Sequence, residues 1–175
     1  MAAQSFVAAE IASQPECWQR AVETTKDSAP AFPTAGESVA VVGCGTSWFM
    51  AMAYAGLREA GGHGRTDAFA ASEVPLGRTY DRVLAISRSG TTTEVVDLLA
   101  AFAGRVPTTA ITGVAGTPVT TIADATVVLD FADEHSVVQT RFATTALASL
   151  RASLGEDLTT PIADAAVAMG LPLAT

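Results

Sequence analysis

Residues 82–103 read RVLAISRSGTTTEVVDLLAAFA, a sequence that changes character twice. The apolar run from Val83 to Ile86 is followed by a polar stretch around Gly90 and then by a segment rich in Val, Leu and Ala. A short, continuous apolar run is typical of a strand that is buried on both faces. The stretch therefore predicts a strand over 82–86, a tight loop, and a helix over 92–103.

The same alternation extends in both directions along the chain. We predict further strands at 39–42, 67–70, 108–111 and 126–131, and further helices at 47–60 and 137–154. Apolar strands separated by helices of about a dozen residues indicate βαβ units and a parallel sheet covered on both faces. The predicted fold class is α/β, a three-layer α/β/α sandwich with about five parallel strands, flavodoxin-like or Rossmann-like.

The ends of the chain differ from this core. A helical lead-in is predicted over residues 1–35, with its first helix, 6–25, interrupted at Gln14-Pro15 because proline disfavours helix in the preceding residue. A loop over 26–38 leads into a core domain at 36–155. Residues 156–175 are expected to form a C-terminal helix or tail around an amphipathic piece at 162–169, with the alternative that a second, similar half would follow.

The composition excludes several classes of function. The 175 residues are 49% hydrophobic, so they can build one core, and the net charge of −8 with scattered basic residues argues against nucleic acid as a partner. No apolar stretch is long enough for a membrane helix, and no Lys or Arg precedes Arg20 as in a secretory signal. The two isolated cysteines, Cys17 and Cys44, favour a reducing cytoplasm.

The residues that could bind a ligand lie in two loops, each of which connects a strand to a helix. In open α/β sheets ligands bind at the carboxyl ends of the strands, where helix N-termini favour anions. The loop at 44–47 has the sequence Cys-Gly-Thr-Ser, and residues 87–93 place five hydroxyls within seven residues. Hydroxyl groups can donate hydrogen bonds to phosphate oxygens without adding charge.

Purely structural explanations exist for both loops. Thr46 could cap a helix after an ordinary turn, and Thr91 with Glu94 has the spacing of a capping box. One cap accounts for only one of the hydroxyls at 87–93, which favours anion binding there. Neither dinucleotide nor Walker loops fit, since no third glycine follows Gly45 closely and no Gly-Lys-Ser/Thr is present.

Together the loops resemble the sugar isomerase (SIS) domain family, whose members bind phosphosugars. Its Ser-x-Ser-Gly-x-Thr loop is matched at 87–92 and its Cys-Gly-Thr-Ser loop at 44–47. Three further stretches are similar to the N-terminal SIS half of glucosamine-6-phosphate synthase and tagatose-6-phosphate isomerase-like proteins: AEIASQP at 9–15, ASE at 71–73 and EHSVVQTRF at 134–142. The resemblance covers about residues 9–150.

The resemblance implies a sugar-phosphate site. Phosphate-binding residues would be Ser87, Arg88, Ser89 and Thr92, and sugar-binding residues would be Cys44, Gly45, Thr46 and Ser47. Arg88 stands where the synthase commonly has glutamine. Its guanidinium could pair with the phosphate or point to solvent.

Catalytic residues are harder to assign. Moving a proton between C1 and C2 of a sugar needs a base near both carbons. Candidates are Glu73, which corresponds in position to an acidic residue of single-domain phosphosugar isomerases, and the pair Glu134-His135. Glu134 equally fits a carboxylate that caps the helix expected to begin near Ser136.

Other titratable residues fit catalysis less well. His63 is expected in an exposed loop between a helix and a strand, and Glu94 is expected to be the partner of Thr91 in the capping box. Arg141 occupies the place of a lysine in the family, and arginine does not act as a proton carrier.

Two functions remain open from the sequence. The first is a phosphosugar isomerase, or the N-terminal half of one, acting on a ketose or amino-sugar 6-phosphate without metal or organic cofactor. It would be a homodimer, because the Ala-rich helices at 47–60 and 144–154 permit close packing. The alternative is a non-catalytic phosphosugar-binding regulatory module.

Overall fold

Five parallel strands form a single sheet in the computed structural model, which describes residues 6–171. The strands are β1 (Val39–Gly43), β2 (Thr66–Ala70), β3 (Arg82–Ser87), β4 (Thr108–Thr112) and β5 (Ala125–Val128). They lie in the order β2-β1-β3-β4-β5, and every neighbouring pair is parallel. This confirms the predicted parallel sheet, and the order is that of flavodoxin-like folds.

Helices cover both faces of the sheet. They are α1 (Phe6–Ala12), α2 (Gln14–Asp27), α3 (Thr46–Ala60), α4 (Thr93–Phe102), α5 (Pro118–Ile122), α6 (Arg141–Ser153) and α7 (Thr159–Met169). Val41 and Ile86 face one layer, with α3 and α6, whereas Val42 and Ala85 face the other, with α4 and α5. Because successive strand residues point to opposite faces, both layers need apolar partners, and the strands are apolar throughout. The three-layer prediction is confirmed.

The N-terminal helix is interrupted at Ser13, one residue before the predicted break at Gln14-Pro15. Helix α1 ends at Ala12 and α2 begins at Gln14, so that Pro15 lies in the first turn of α2. A first-turn amide has no intrahelical acceptor, so proline costs no hydrogen bond there. The predicted loop over 26–38 includes a short 3₁₀ helix at Ala29–Ala31.

Two predicted boundaries are wrong by three residues or more. Strand β5 ends at Val128 rather than at 131, and a 3₁₀ turn follows at Asp130–Ala132. Helix α6 begins at Arg141 rather than at 137, because the amides of Thr140 and Phe142 donate to the carboxylate of Glu134 instead of to a preceding helical turn. Val137 and Val138 are consequently exposed in an irregular segment.

The C-terminal helix is attached at the surface. Helix α7 includes the predicted piece at 162–169, packs along α2, and buries none of its residues. No helix among residues 6–171 is long and apolar enough to cross a membrane. Residues 1–5 and 172–175, which the predicted lead-in and tail include, lie outside the described residues.

Candidate functional site

The two loops singled out in the sequence begin at adjacent strand ends. Strands β1 and β3 are neighbours, with Gly43 paired to Ile86 at their carboxyl ends. From β1 the chain continues to β2 on one side, and from β3 it continues to β4 on the other. Such a reversal of direction opens a crevice at the carboxyl edge, where ligands bind in open α/β sheets. The fold therefore brings loops 44–47 and 87–92 together.

Loop 87–92 presents a compact group of hydroxyls at the start of α4. The Oγ of buried Ser87 lies 3.2 Å from Oγ1 of Thr92, and Thr91 donates to Oγ of Ser89 from both its amide and its hydroxyl. Thr92 is the N-cap of α4, and its side chain makes no capping hydrogen bond. The first amides of a helix lack intrahelical acceptors, so this end of α4 can receive an anion.

The predicted capping box is therefore wrong. The Thr91 hydroxyl donates to Ser89, and the helix begins only at Thr93. Glu94 lies instead in a groove of about 320 Å³ beside Ser72 and Asp97.

The path of loop 87–92 is fixed by contacts with the end of β4 and with the residues that follow it. Gly90 has a φ of +66°, and a Cβ added there would lie 2.0 Å from Oγ1 of Thr117. The carbonyl of Arg88 accepts hydrogen bonds from the amide of Gly113 at 3.0 Å and from Oγ1 of Thr112 at 3.2 Å. Thr112, Gly113 and Thr117 thus support the loop, and their part was not predicted from the sequence.

Loop 44–47 forms a tight turn into α3. Gly45 is the N-cap, with a φ of 56°, and Thr46 is the first helical residue, so the prediction that Thr46 caps the helix is wrong. Ser47 is buried, and a Cβ added to Gly43 would lie 2.6 Å from its carbonyl carbon. Burial raises the pKa of the Cys44 thiol, which is therefore neutral at pH 7. The loop offers a ligand neutral donors only.

Arg88 does not extend into solvent. Its Nη1 donates to the carbonyl of Glu134 and lies 3.5 Å from Oδ1 of Asp133, so its side chain reaches towards the segment after β5. The solvent alternative is therefore wrong, and the role in phosphate binding stays a prediction.

The catalytic candidates are not brought together. Glu73 follows β2, is exposed, and makes no hydrogen bond or ion pair with any other described residue. Glu134 follows β5, at the other edge of the sheet, and is 2% exposed. Its carboxylate accepts from the amide of Thr140 at 2.7 Å and from that of Phe142, which makes it the cap of α6.

Neither the His135 nor the His63 side chain makes a hydrogen bond with loop 87–92 in the described part of the chain. The ring of His135 packs against Phe6, with 5.4 Å between the ring centroids, and its amide donates to Oε1 of Glu10 at 2.7 Å. His63 lies between α3 and β2, at the amino edge of the sheet, in a loop as predicted but half-buried. Among residues 6–171, no three His, Cys, Asp or Glu side chains group closely enough to hold a metal ion.

Glu10 has a structural role that the sequence did not reveal. It is 4% exposed and accepts hydrogen bonds from the amides of His135 and Ser136. Burial alone would raise the pKa of Glu10, but its hydrogen bonds with Ser136 and His135 and the charge of Arg141 outweigh burial and lower it. The feature of the sequence that could have indicated this role is the position of an acidic residue within the otherwise apolar helix FVAAEIA.

Known structures share this fold. The chain superposes on the C-terminal domain of glucosamine-fructose-6-phosphate aminotransferase from Francisella tularensis with a TM-score of 0.73 and 18% identity, covering 96% of this chain and 53% of that one. Tagatose-6-phosphate ketose/aldose isomerase from Escherichia coli gives 0.72 and 19%, covering 86% and 47%. The sugar isomerase domain of an RpiR transcription factor from Sphaerobacter thermophilus gives 0.57 and 26%, covering 89% and 84%.

The chain has the SIS-domain fold. This confirms the resemblance that the sequence motifs carried. The chain spans about half the length of the two enzyme structures it matches. Neither family models nor curated proteins gave a match to its sequence. In this SIS fold, loops 44–47 and 87–92 occupy the crevice at the carboxyl edge of the sheet.

Proposed function

We propose that this SIS domain binds a sugar phosphate, with the phosphate held by loop 87–92 and the sugar contacting loop 44–47. The observation that carries the proposal is the uncapped start of α4, where the hydroxyls of Ser87 and Thr92 lie 3.2 Å apart beside free helix amides. A phosphate dianion needs several donors and gains from the helix dipole. The names of the two enzyme neighbours, both of which include a sugar 6-phosphate, support the ligand class.

The domain would act as a phosphosugar isomerase or as the binding half of one. Glu73 is the carboxylate best suited to be the base, because it is exposed at the carboxyl end of β2 and unpaired among the described residues. Glu134 already caps α6, so a catalytic role would cost its hydrogen bonds.

A non-catalytic sugar-phosphate sensor is the second candidate. One observation favours it: an RpiR transcription factor from Sphaerobacter thermophilus has a sugar isomerase domain of the same fold at 26% identity. The sensor and the isomerase would share loop 87–92 and differ only in turnover.

A second copy of the chain would pack on α3. Phe49 and Met52 are exposed on this helix at 54% and 41%, one turn apart and close to loop 44–47. The predicted use of helix 144–154 for dimerisation does not fit, because α6 is covered by α2 and α3 within the chain and exposes none of its residues.

Thermal denaturation with a panel of sugar phosphates tests the function. Stabilisation by a sugar phosphate, followed by proton exchange at C1 or C2 in NMR spectra, is expected for the isomerase; stabilisation without exchange would support the sensor. No stabilisation by any sugar phosphate would refute both.

Substitution in loop 87–92 tests the site. Ser89→Ala with Thr92→Ala should weaken sugar-phosphate binding at least about a hundredfold, since hydrogen bonds to a charged group contribute roughly 1.5–3 kcal/mol each. Thr93→Ala is the matched control, because Thr93 is exposed and its hydroxyl lies outside the pair Ser87–Thr92. Unchanged affinity in the double variant, measured by calorimetry, would place the site elsewhere.

A further inference from the structure

We propose that Arg88 is a positioning residue: its guanidinium holds segment 133–140 beside loop 87–92 rather than binding the phosphate. The inference rests on the proposed function, since it concerns how the same site recognises the sugar part of its ligand.

Arg88 connects three strand ends. Its position in the chain follows β3, and its carbonyl accepts from Gly113 and Thr112 at the end of β4. Its side chain then continues to Asp133 and Glu134 in the segment after β5. Within residues 6–171, the hydrogen bonds between loop 87–92 and segment 133–140 all come from Arg88. A rigid link between the two therefore depends on this one side chain.

Segment 133–140 is also held on the side away from loop 87–92. Glu10 fixes the amides of His135 and Ser136 from α1, and Glu134 fixes Thr140. Between these anchors Val137 and Val138 are 97% and 67% exposed. Arg141, in the first turn of α6, also donates to the carbonyl of Asp133. The segment is thus anchored from α1 and α6, while Arg88 supplies its hydrogen bonds to loop 87–92.

The positive charge of Arg88 is already partly neutralised by the carboxylate of Asp133. Oδ1 of Asp133 lies 3.5 Å from Nη1 and also accepts from the amide of Glu134 at 2.9 Å. Nη1 of Arg88 already serves Asp133 and Glu134, and the hydroxyls of loop 87–92 with the helix amides can hold the anion without the guanidinium. Arg88 therefore acts on the ligand through segment 133–140.

This role predicts different effects of Arg88 on the binding of inorganic phosphate and on the binding of a sugar phosphate. Inorganic phosphate needs only loop 87–92, whereas a larger sugar phosphate would also contact what flanks this loop: loop 44–47 on the side of β1 and segment 133–140, which Arg88 holds, on the side of β4 and β5. Loss of Arg88 should weaken sugar-phosphate binding and leave inorganic phosphate binding nearly unchanged.

The test compares Arg88→Gln, which keeps a polar side chain without charge, with the wild type. For fructose 6-phosphate we expect an affinity about tenfold lower, as for loss of one charge-assisted hydrogen bond, and for inorganic phosphate a change within about twofold. Amide hydrogen exchange over 133–140 should become faster in the free variant. Arg88→Lys should restore part of both effects.

Two further variants make the test specific. Arg88→Gln combined with Asp133→Asn should be no weaker than Arg88→Gln alone, because the two changes remove the same contact. Arg105→Gln, which removes an exposed arginine that bonds the carbonyls of Ala101 and Leu76, is the matched control and should leave both affinities unchanged.

Two results would contradict the positioning role of Arg88. An equal loss of both ligands would make Arg88 a phosphate ligand, and unchanged exchange over 133–140 would show that it does not position the segment. Exchange is measured without ligand, so it tests the inference even if the wild type binds no sugar phosphate, the result that would refute the proposed function instead.

Discussion

At Gly90 the chain turns with a φ of +66° directly against the side chain of Thr117. The left-handed conformation is open to glycine at little cost, and the missing Cβ leaves the space that Thr117 and Thr112 occupy. The shape of loop 87–92 thus depends on a glycine at position 90, which has only a hydrogen atom where other residues have a side chain.

We expect Gly90→Ala to lower the free energy of unfolding by about 3 kcal/mol or more, from the unfavourable φ together with the clash. Gly104→Ala is the control, because Gly104 has a similar φ of +70° but nothing within 4 Å of an added Cβ. It should cost only about 1–2 kcal/mol. Urea denaturation of both variants measures the difference, and equal costs would mean that the close packing behind the loop is absent.

At the scale of elements, carboxylates that accept backbone amides fix where helices and strands begin. Glu134 ends the irregular segment before α6, and Asp81 and Asp124 tie neighbouring strands at the amino edge of the sheet. Each accepts backbone amides that would otherwise lack partners.

Replacing Glu134 by alanine should destabilise the fold by about 2–3 kcal/mol, since it leaves the amides of half-buried Thr140 and buried Phe142 without this acceptor. Glu73→Ala should change stability by less than about 0.5 kcal/mol, because Glu73 is exposed and unpaired within the described part of the chain. If the domain is an isomerase, Glu73→Ala should nevertheless abolish turnover. A stable Glu134→Ala variant in thermal melts would contradict the capping role.

The two aspartates at the amino edge predict a dependence of stability on pH. Hydrogen bonds from the side chain and amide of Ser38 lower the pKa of Asp81, and those of Thr108 lower the pKa of Asp124. A carboxyl group whose pKa is lower in the folded than in the unfolded protein stabilises the folded state at pH values above the ordinary aspartate pKa of about 4. This stabilisation is lost as the pH falls below that value.

Asp81→Asn with Asp124→Asn should therefore be less stable than the wild type at pH 7, and the difference should shrink as the pH falls from about 5 towards 2. Urea midpoints measured across this range provide the check. A difference that stays constant with pH would show that the charge of these carboxylates contributes nothing.

At the scale of the whole molecule, the exposed apolar face of α3 carries the proposal of a homodimer. Met52→Glu should shift the protein from dimer to monomer in sedimentation experiments, because it places a charge in a buried apolar contact. Val167→Glu, on the exposed face of α7, is the control and should not change the mass. A monomeric wild type at all concentrations would refute the dimer.

The sequence by itself determined the parallel sheet and the two loops at its carboxyl edge. The reason is that burial on both faces demands continuous apolar runs, and turns into helices demand glycines and small polar residues within a few positions. These signals are local, so they can be read from neighbouring residues such as those at 82–93.

Only the tertiary structure decided what several polar side chains do. Arg88 meets Asp133 across 45 residues of chain, and Glu10 meets His135 across 125. Such contacts depend on which strand ends the sheet order places side by side, and no spacing along the chain encodes that. The sequence fixes which groups are available, and the fold decides which of them remain free to meet a ligand.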